Sequence, residues 1–146
     1  MINQNFDATW IFLNWEGIQR PNFKFFKLED YGIPYSYSPL IAVSHFLIDS
    51  DRDELRSFLS ATKTGFLYAV NHPEESTNIL KPYVPLEENN IDLIDSLEFS
   101  KEYFGDDETF GKIDPKVFDD FFKWIKSKEI ESYNLKSSQF YIDLEF

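Results

Sequence analysis

The feature that most constrains this chain is a change of period. Up to Ile48 the apolar residues come in short runs, and from Ser50 onward they recur at helical spacing. The runs are "ATWIFL", "NFKFFKL" from Asn22 to Leu28, and "PLIAVSHFLI". Each has the length of a strand and is bounded by turn formers. "NQN" and "NWEG" flank the first, and Gly32, Pro34 and Pro39 punctuate "EDYGIPYSYSP" before the third. They predict three short strands, two of them largely buried.

The helical part opens at "SDRDEL". Ser50 is the expected N-cap, with Asp53 three residues on and acids in the first turn. Leu55, Phe58, Leu59, Thr62, Phe66 and Ala69 follow as one apolar stripe, and His72-Pro73 ends it. A second helix, "PEESTNILKPY", places Pro73 at its first position, where the missing N–H costs nothing. A third, "NNIDLIDSLEFSKEYF", has Ile91, Ile94, Leu97 and Tyr103 or Phe104 as its stripe. A fourth, "DPKVFDDFFKWIKSKEI", is capped by Asp114 ahead of Pro115 and should bury Val117, Phe121, Trp124 and Ile125. The tail "SSQFYIDLEF" alternates and reads as an edge strand. The predicted class is therefore α/β, with short strands in the first third followed by about four helices. Strands first and helices after do not make a complete doubly wound sheet, so the pattern reads as a portion of a larger arrangement.

Composition narrows the function. One domain suits 146 residues, and 42% hydrophobic with 18% aromatic content suits a folded one. The net charge of -12, from 26 acidic against 14 basic residues, argues against a phosphate-backbone binder and against docking on an anionic membrane. There is no cysteine, which removes disulfides, zinc thiolates, iron–sulfur clusters and thiol nucleophiles. "MINQNFDATW" lacks the basic and apolar regions of a signal peptide, and no segment is long and apolar enough to span a bilayer. His45 reads as a strand histidine among apolar residues and His72 as a helix-boundary residue, so no metal-ligand spacing emerges. Asp106-Asp107-Glu108 lacks the calcium-loop spacing and reads as a solvated loop. No Gly-x-Ser-x-Gly, phosphate-cradling glycine loop or His-Glu-x-x-His occurs, so no metal or cofactor is expected.

Three stretches carry a resemblance. "DATWIFLNWEGI", then "DYGIPYSYSPLIAVS", then "RSFLSATKTGFLYAVNHPEESTNIL" followed by "FDDFFKWIKSKEI", resemble, in that order, the solute-binding proteins that feed thiamine-type pyrimidines and related heterocycles to ABC importers. The long helix is also similar to a broader group that includes sulfonate binders. The fungal hydroxymethylpyrimidine phosphate synthase shares the fold. The resemblance implies a partial periplasmic-binding-protein type 2 fold over residues 1–146. Residues 1–38 would be the end of a second lobe and its crossover, and 39–146 the C-terminal part of the first lobe. It implies the C-terminal half of such a protein, as an excised domain, a truncated product or one half of a split one. The synthase would place an iron-binding cysteine run at Pro34-Tyr35-Ser36-Tyr37-Ser38, where this chain has no cysteine, so the resemblance implies binding without catalysis.

The same resemblance gives "NWEG" a purpose. An aminopyrimidine offers a flat face and a donor–acceptor edge. Trp15, or Trp10, would stack on the face. Glu16 and Asn14 would read the edge through charge-assisted and neutral hydrogen bonds. Tyr35 and Tyr37 would close the other side. The blander readings are that Trp10 is core, that Trp15 covers the end of a sheet, and that Glu16 is a first-turn acid. The implied partners are a small heterocycle, an ABC permease in a full-length protein, and a second copy of the chain, with swapped elements as one form of that dimer. The alternative is a fragment that binds no small molecule and acts as an interaction or structural unit. The resemblance implies an extracytoplasmic site of action, whereas a complete gene product without a leader would stay in the cytoplasm.

Overall fold

Helix ends in this chain are written by local chemistry. In a computed structural model describing residues 7–19, 22–34, 40–130 and 136–146, five α-helices form: α1 (His45–Ser50), α2 (Arg52–Asn71), α3 (Pro73–Leu80), α4 (Leu93–Phe104) and α5 (Pro115–Ser127). The Asp92 carboxylate accepts from the N–H groups of Ile94 (3.0 Å) and Asp95 (3.1 Å) and so starts α4. Asp114 accepts from the Lys116 N–H at 2.8 Å and starts α5, with Pro115 behind it. Pro73 opens α3. Gly105, at φ 76 and ψ -167, follows the last residue of α4 in a conformation that only glycine holds without strain.

The expected α/β architecture is corrected here: among the described residues there is no strand. "ATWIFL" does approach extended backbone, with Phe12 at φ -95 and ψ 125, but it runs into a π-helical turn, Leu13–Gly17. "NFKFFKL" ends in the 3₁₀ turn Leu28–Tyr31. "PLIAVSHFLI" turns helical at α1, where the Ser44 hydroxyl accepts from the Leu47 N–H at 3.4 Å. The tail, expected as an edge strand, holds the 3₁₀ turn Ser137–Gln139 followed by irregular chain. A partial periplasmic-binding-protein type 2 sheet is thus not what these segments build. The physical reason is pairing. A strand is stable only when a neighbour takes its N–H and C=O groups, and apolar alternation reports which side a residue faces, not whether that neighbour exists. Short apolar runs are moreover ambiguous between strand and helix.

Two compact units make up the chain: Met1–Phe23 with Thr64–Phe110, and Lys24–Lys63 with Gly111–Phe146. In the first, α4 packs against α3 and against the π turn. Its buried residues are Gly17, Thr77, Ile91, Ser96 and Ser100, and the Phe66 ring meets Phe104 edge-on at 4.8 Å. In the second, α5 packs on the C-terminal segment. Phe118, Ile125 and Leu144 are buried there, Phe122 lies against Phe140 at 4.7 Å, and Phe118 against Tyr141 at 5.2 Å. The buried face of α5 is therefore centred on Phe118 and Ile125. Of the four residues expected there, only Ile125 is buried; Val117, Phe121 and Trp124 are half-buried.

Candidate functional site

The tetrapeptide Asn14-Trp15-Glu16-Gly17 forms most of the π-helical turn. The Phe12 carbonyl accepts from the N–H of Trp15 at 3.1 Å and of Gly17 at 3.0 Å. The Glu16 carboxylate turns back and accepts from the Phe12 N–H at 3.0 Å. Gly17 is buried at the end of the turn, where an added Cβ would lie 3.3 Å from Leu13 Cδ2 and 3.4 Å from the Phe12 oxygen. A side chain there would fit only tightly, with the Leu13 side chain moving by a few tenths of an ångström.

Asn14 ties this turn to α4. Its carbonyl accepts from the Ser96 hydroxyl at 2.5 Å, and its side-chain amide donates to the Ser100 hydroxyl at 3.0 Å. Ser100 in turn donates to the Ser96 carbonyl at 2.8 Å. Ser96 and Ser100 sit one helical turn apart, so they share a face, and both are buried. Small hydroxyl side chains let the turn approach the helix closely while satisfying its polar groups. Sequence reasoning picked the Ile91, Ile94 and Leu97 stripe and missed these serines. Their i, i+4 spacing beside that stripe was the available signal.

Trp15 is half-buried, and its indole N–H donates to the Glu88 carboxylate at 2.8 Å. Glu88 belongs to the 3₁₀ turn Leu86–Glu88, which follows Pro85. It also lines a half-open cleft of about 280 Å³ within the first unit. Lys81, Asn78 and Asn89 supply further polar lining, and Ile91 an apolar wall. Lys81 forms no ion pair among the described residues.

The residues singled out from sequence therefore divide. Asn14, Trp15 and Glu16 come together on one turn. Of these, Asn14 and Glu16 have polar groups engaged in holding that turn, and Trp15 reaches toward the cleft through Glu88. Trp10, expected in the core, is 69% exposed. Tyr35 and Tyr37 lie outside the described residues. His45 opens helix α1 instead of sitting in a strand, and His72 stands at the α2–α3 boundary, its ring stacked on Tyr68 at 4.2 Å. Asp106 organises its own loop: it accepts from the N–H groups of Glu108 (3.0 Å) and Thr109 (2.9 Å) and from the Thr109 hydroxyl (2.7 Å). Among the described residues no group of three His, Asp or Glu side chains is placed to hold a metal ion. No helix among them is long and apolar enough to cross a membrane.

A family model described as "NMT1/THI5 like" matches residues 1–76. That span includes the π turn with Asn14, Trp15 and Glu16. No curated protein matches the chain, and neither does any solved structure.

Proposed function

Because the chain belongs to the NMT1/THI5-like family, we propose that it is a substrate-binding module for a thiamine-precursor pyrimidine or a similar heterocycle, which it binds without turnover. The observation that carries this reading is the family match over a span that contains the Asn14-Trp15-Glu16 turn. In this role Trp15 offers a ring face to the heterocycle. Asn14 and Glu16 hold the turn that presents it, and Tyr35 and Tyr37 contribute from the following segment. The physiological partner is an ABC permease, reached on the extracytoplasmic side.

A titration of tryptophan emission tests this. Hydroxymethylpyrimidine, its formylamino analogue, thiamine and riboflavin are added to the chain and to Trp15→Ala and Glu16→Ala. A saturable change with a pyrimidine, abolished in Trp15→Ala and weakened in Glu16→Ala, is expected. A change that survives in both variants would move the site elsewhere, and no change with any of the four would overturn the reading.

One observation favours a second reading, in which the chain serves as an interaction unit. Large apolar side chains stand in solvent, with Phe46 75% and Leu86 81% exposed, and among the described residues no side chain is completely buried. Such surfaces favour association with a second copy, by simple pairing or by exchange of elements. Sedimentation as a monomer at high concentration would remove that reading.

A further inference from the structure

We propose that the cleft beside Trp15 is the site that selects an amine-bearing single ring, with Glu88 and not Glu16 as the carboxylate that accepts from the amine. This rests on the heterocycle-binding reading above and places its edge recognition in the part of the chain beyond the family match. The first ground is what each carboxylate already does. Glu16 points back to the Phe12 N–H and serves its own turn. Glu88 lines the cleft and uses one oxygen, Oε2, on the indole N–H of Trp15 at 2.8 Å. Its other oxygen has further acceptor capacity, since an ionised carboxylate offers about four lone-pair directions. A neighbouring donor on the ligand would therefore meet a carboxylate already fixed in orientation.

The second ground is the composition of the cleft. Lys81 is an ammonium with no ion partner among the described residues, set in the same cleft as Glu88. A ligand with an amine donor and a separate ring-nitrogen or hydroxyl acceptor matches that pair, with the amine on Glu88 and the acceptor on Lys81. Ile91, buried, lines the same cleft and offers apolar contact to the ring. The third ground is size. At about 280 Å³ the cleft lies just below the usual range for small-molecule sites, roughly 300–1,000 Å³, which suits one ring and not a fused tricycle. The Trp15–Glu88 hydrogen bond then gives the site its own reporter, because whatever engages Glu88 perturbs the indole it holds.

Calorimetry and tryptophan emission on the whole chain test the proposal. The probes are 4-amino-5-hydroxymethyl-2-methylpyrimidine, its analogue lacking the 4-amino group, and riboflavin. Glu88→Gln keeps an acceptor for the indole but removes the charge, so the free protein should retain its Trp15 emission while its Kd for the aminopyrimidine rises about tenfold. Lys81→Ala should weaken binding severalfold, and Glu16→Gln should leave it within about twofold. The deaminated analogue should bind the unaltered chain weakly and be indifferent to Glu88→Gln, and riboflavin should not bind. If the aminopyrimidine binds and both Glu88→Gln and Lys81→Ala leave its Kd unchanged, the Glu88 assignment falls while the heterocycle reading stands. If Glu16→Gln has the large effect instead, the edge is read by the turn. If no pyrimidine binds at all, both fall together.

Discussion

The two units of this chain hold themselves together by different chemistry. The first docks a turn onto a helix with hydroxyls: Ser96 and Ser100 of α4 receive Asn14 across 82 and 86 residues of sequence. The second docks a tail onto a helix mainly with rings, Phe118 against Tyr141 and Phe122 against Phe140. Ile125 and Leu144 are also buried in that unit, and the Ser137 hydroxyl donates to the Asp119 carboxylate as a polar tie. Hydrogen bonds are directional and individually modest, so the first arrangement fixes where Trp15 stands without burying much apolar surface. Apolar contact is non-directional and grows with area, so the second holds the tail more strongly but tolerates small shifts in it. A chain that must place one indole beside one carboxylate uses the directional device near its candidate site.

The comparison breaks most visibly at Phe118. It is 6% exposed, and Phe118→Ala should cost about 3–5 kcal/mol, read as a lowered urea midpoint. A loss below about 1 kcal/mol would mean that the aromatic unit is not held by its core. Next in size is Gly105. A Cβ there would stand 2.7 Å from the Thr109 hydroxyl and 3.1 Å from the Phe110 nitrogen, at a φ of +76. Gly105→Ala should cost about 1–3 kcal/mol in thermal unfolding, from backbone strain and collision together.

Ser96→Ala comes third, at about 1 kcal/mol, because it leaves the half-buried Asn14 carbonyl without its donor. The revealing readout is Trp15 emission, which should shift even though Ser96 does not touch the indole. An unchanged emission would show that the polar tie does not position the tryptophan. The smallest effect concerns acid. The Thr109 hydroxyl, aided by the N–H groups of Thr109 and Glu108, holds the Asp106 carboxyl below its ordinary value of 3.8. A depressed pKa contributes stability that is fully present above the unfolded value and is lost as pH falls through the folded one. The thermal midpoint of the chain should therefore drop more steeply below about pH 4 than that of Asp106→Asn. Parallel acid profiles would show that this loop contributes nothing.

Legibility followed the range of the interaction. Asp92 is a cap the sequence reading did not choose, while Asp114, Pro73 and Pro115 were read in place, and all four act within three residues of themselves. Ser50, expected to cap α2, instead ends α1, because Ser44 had already started a short helix where a strand was expected. The same apolar letters, "HFLI", satisfy either element, and the serine ahead of them decided the matter. Trp10 shows the other failure. Its apolar neighbours suggested a core position, yet among the described residues the ring stands exposed.

The sequence alone determined what travels with the residues: a cysteine-free, strongly acidic chain, helices with their proline and aspartate starts, a glycine that closes the Asn14-Trp15-Glu16 turn, and the family. Tertiary structure decided what depends on a distant partner. Among the described residues it left the apolar runs of the first third without strand pairing, and it brought Glu88 to the indole of Trp15 across 73 residues. Caps and turns close within a few bonds of the residue that writes them, whereas ladders, docked turns and shared clefts exist only once remote segments meet.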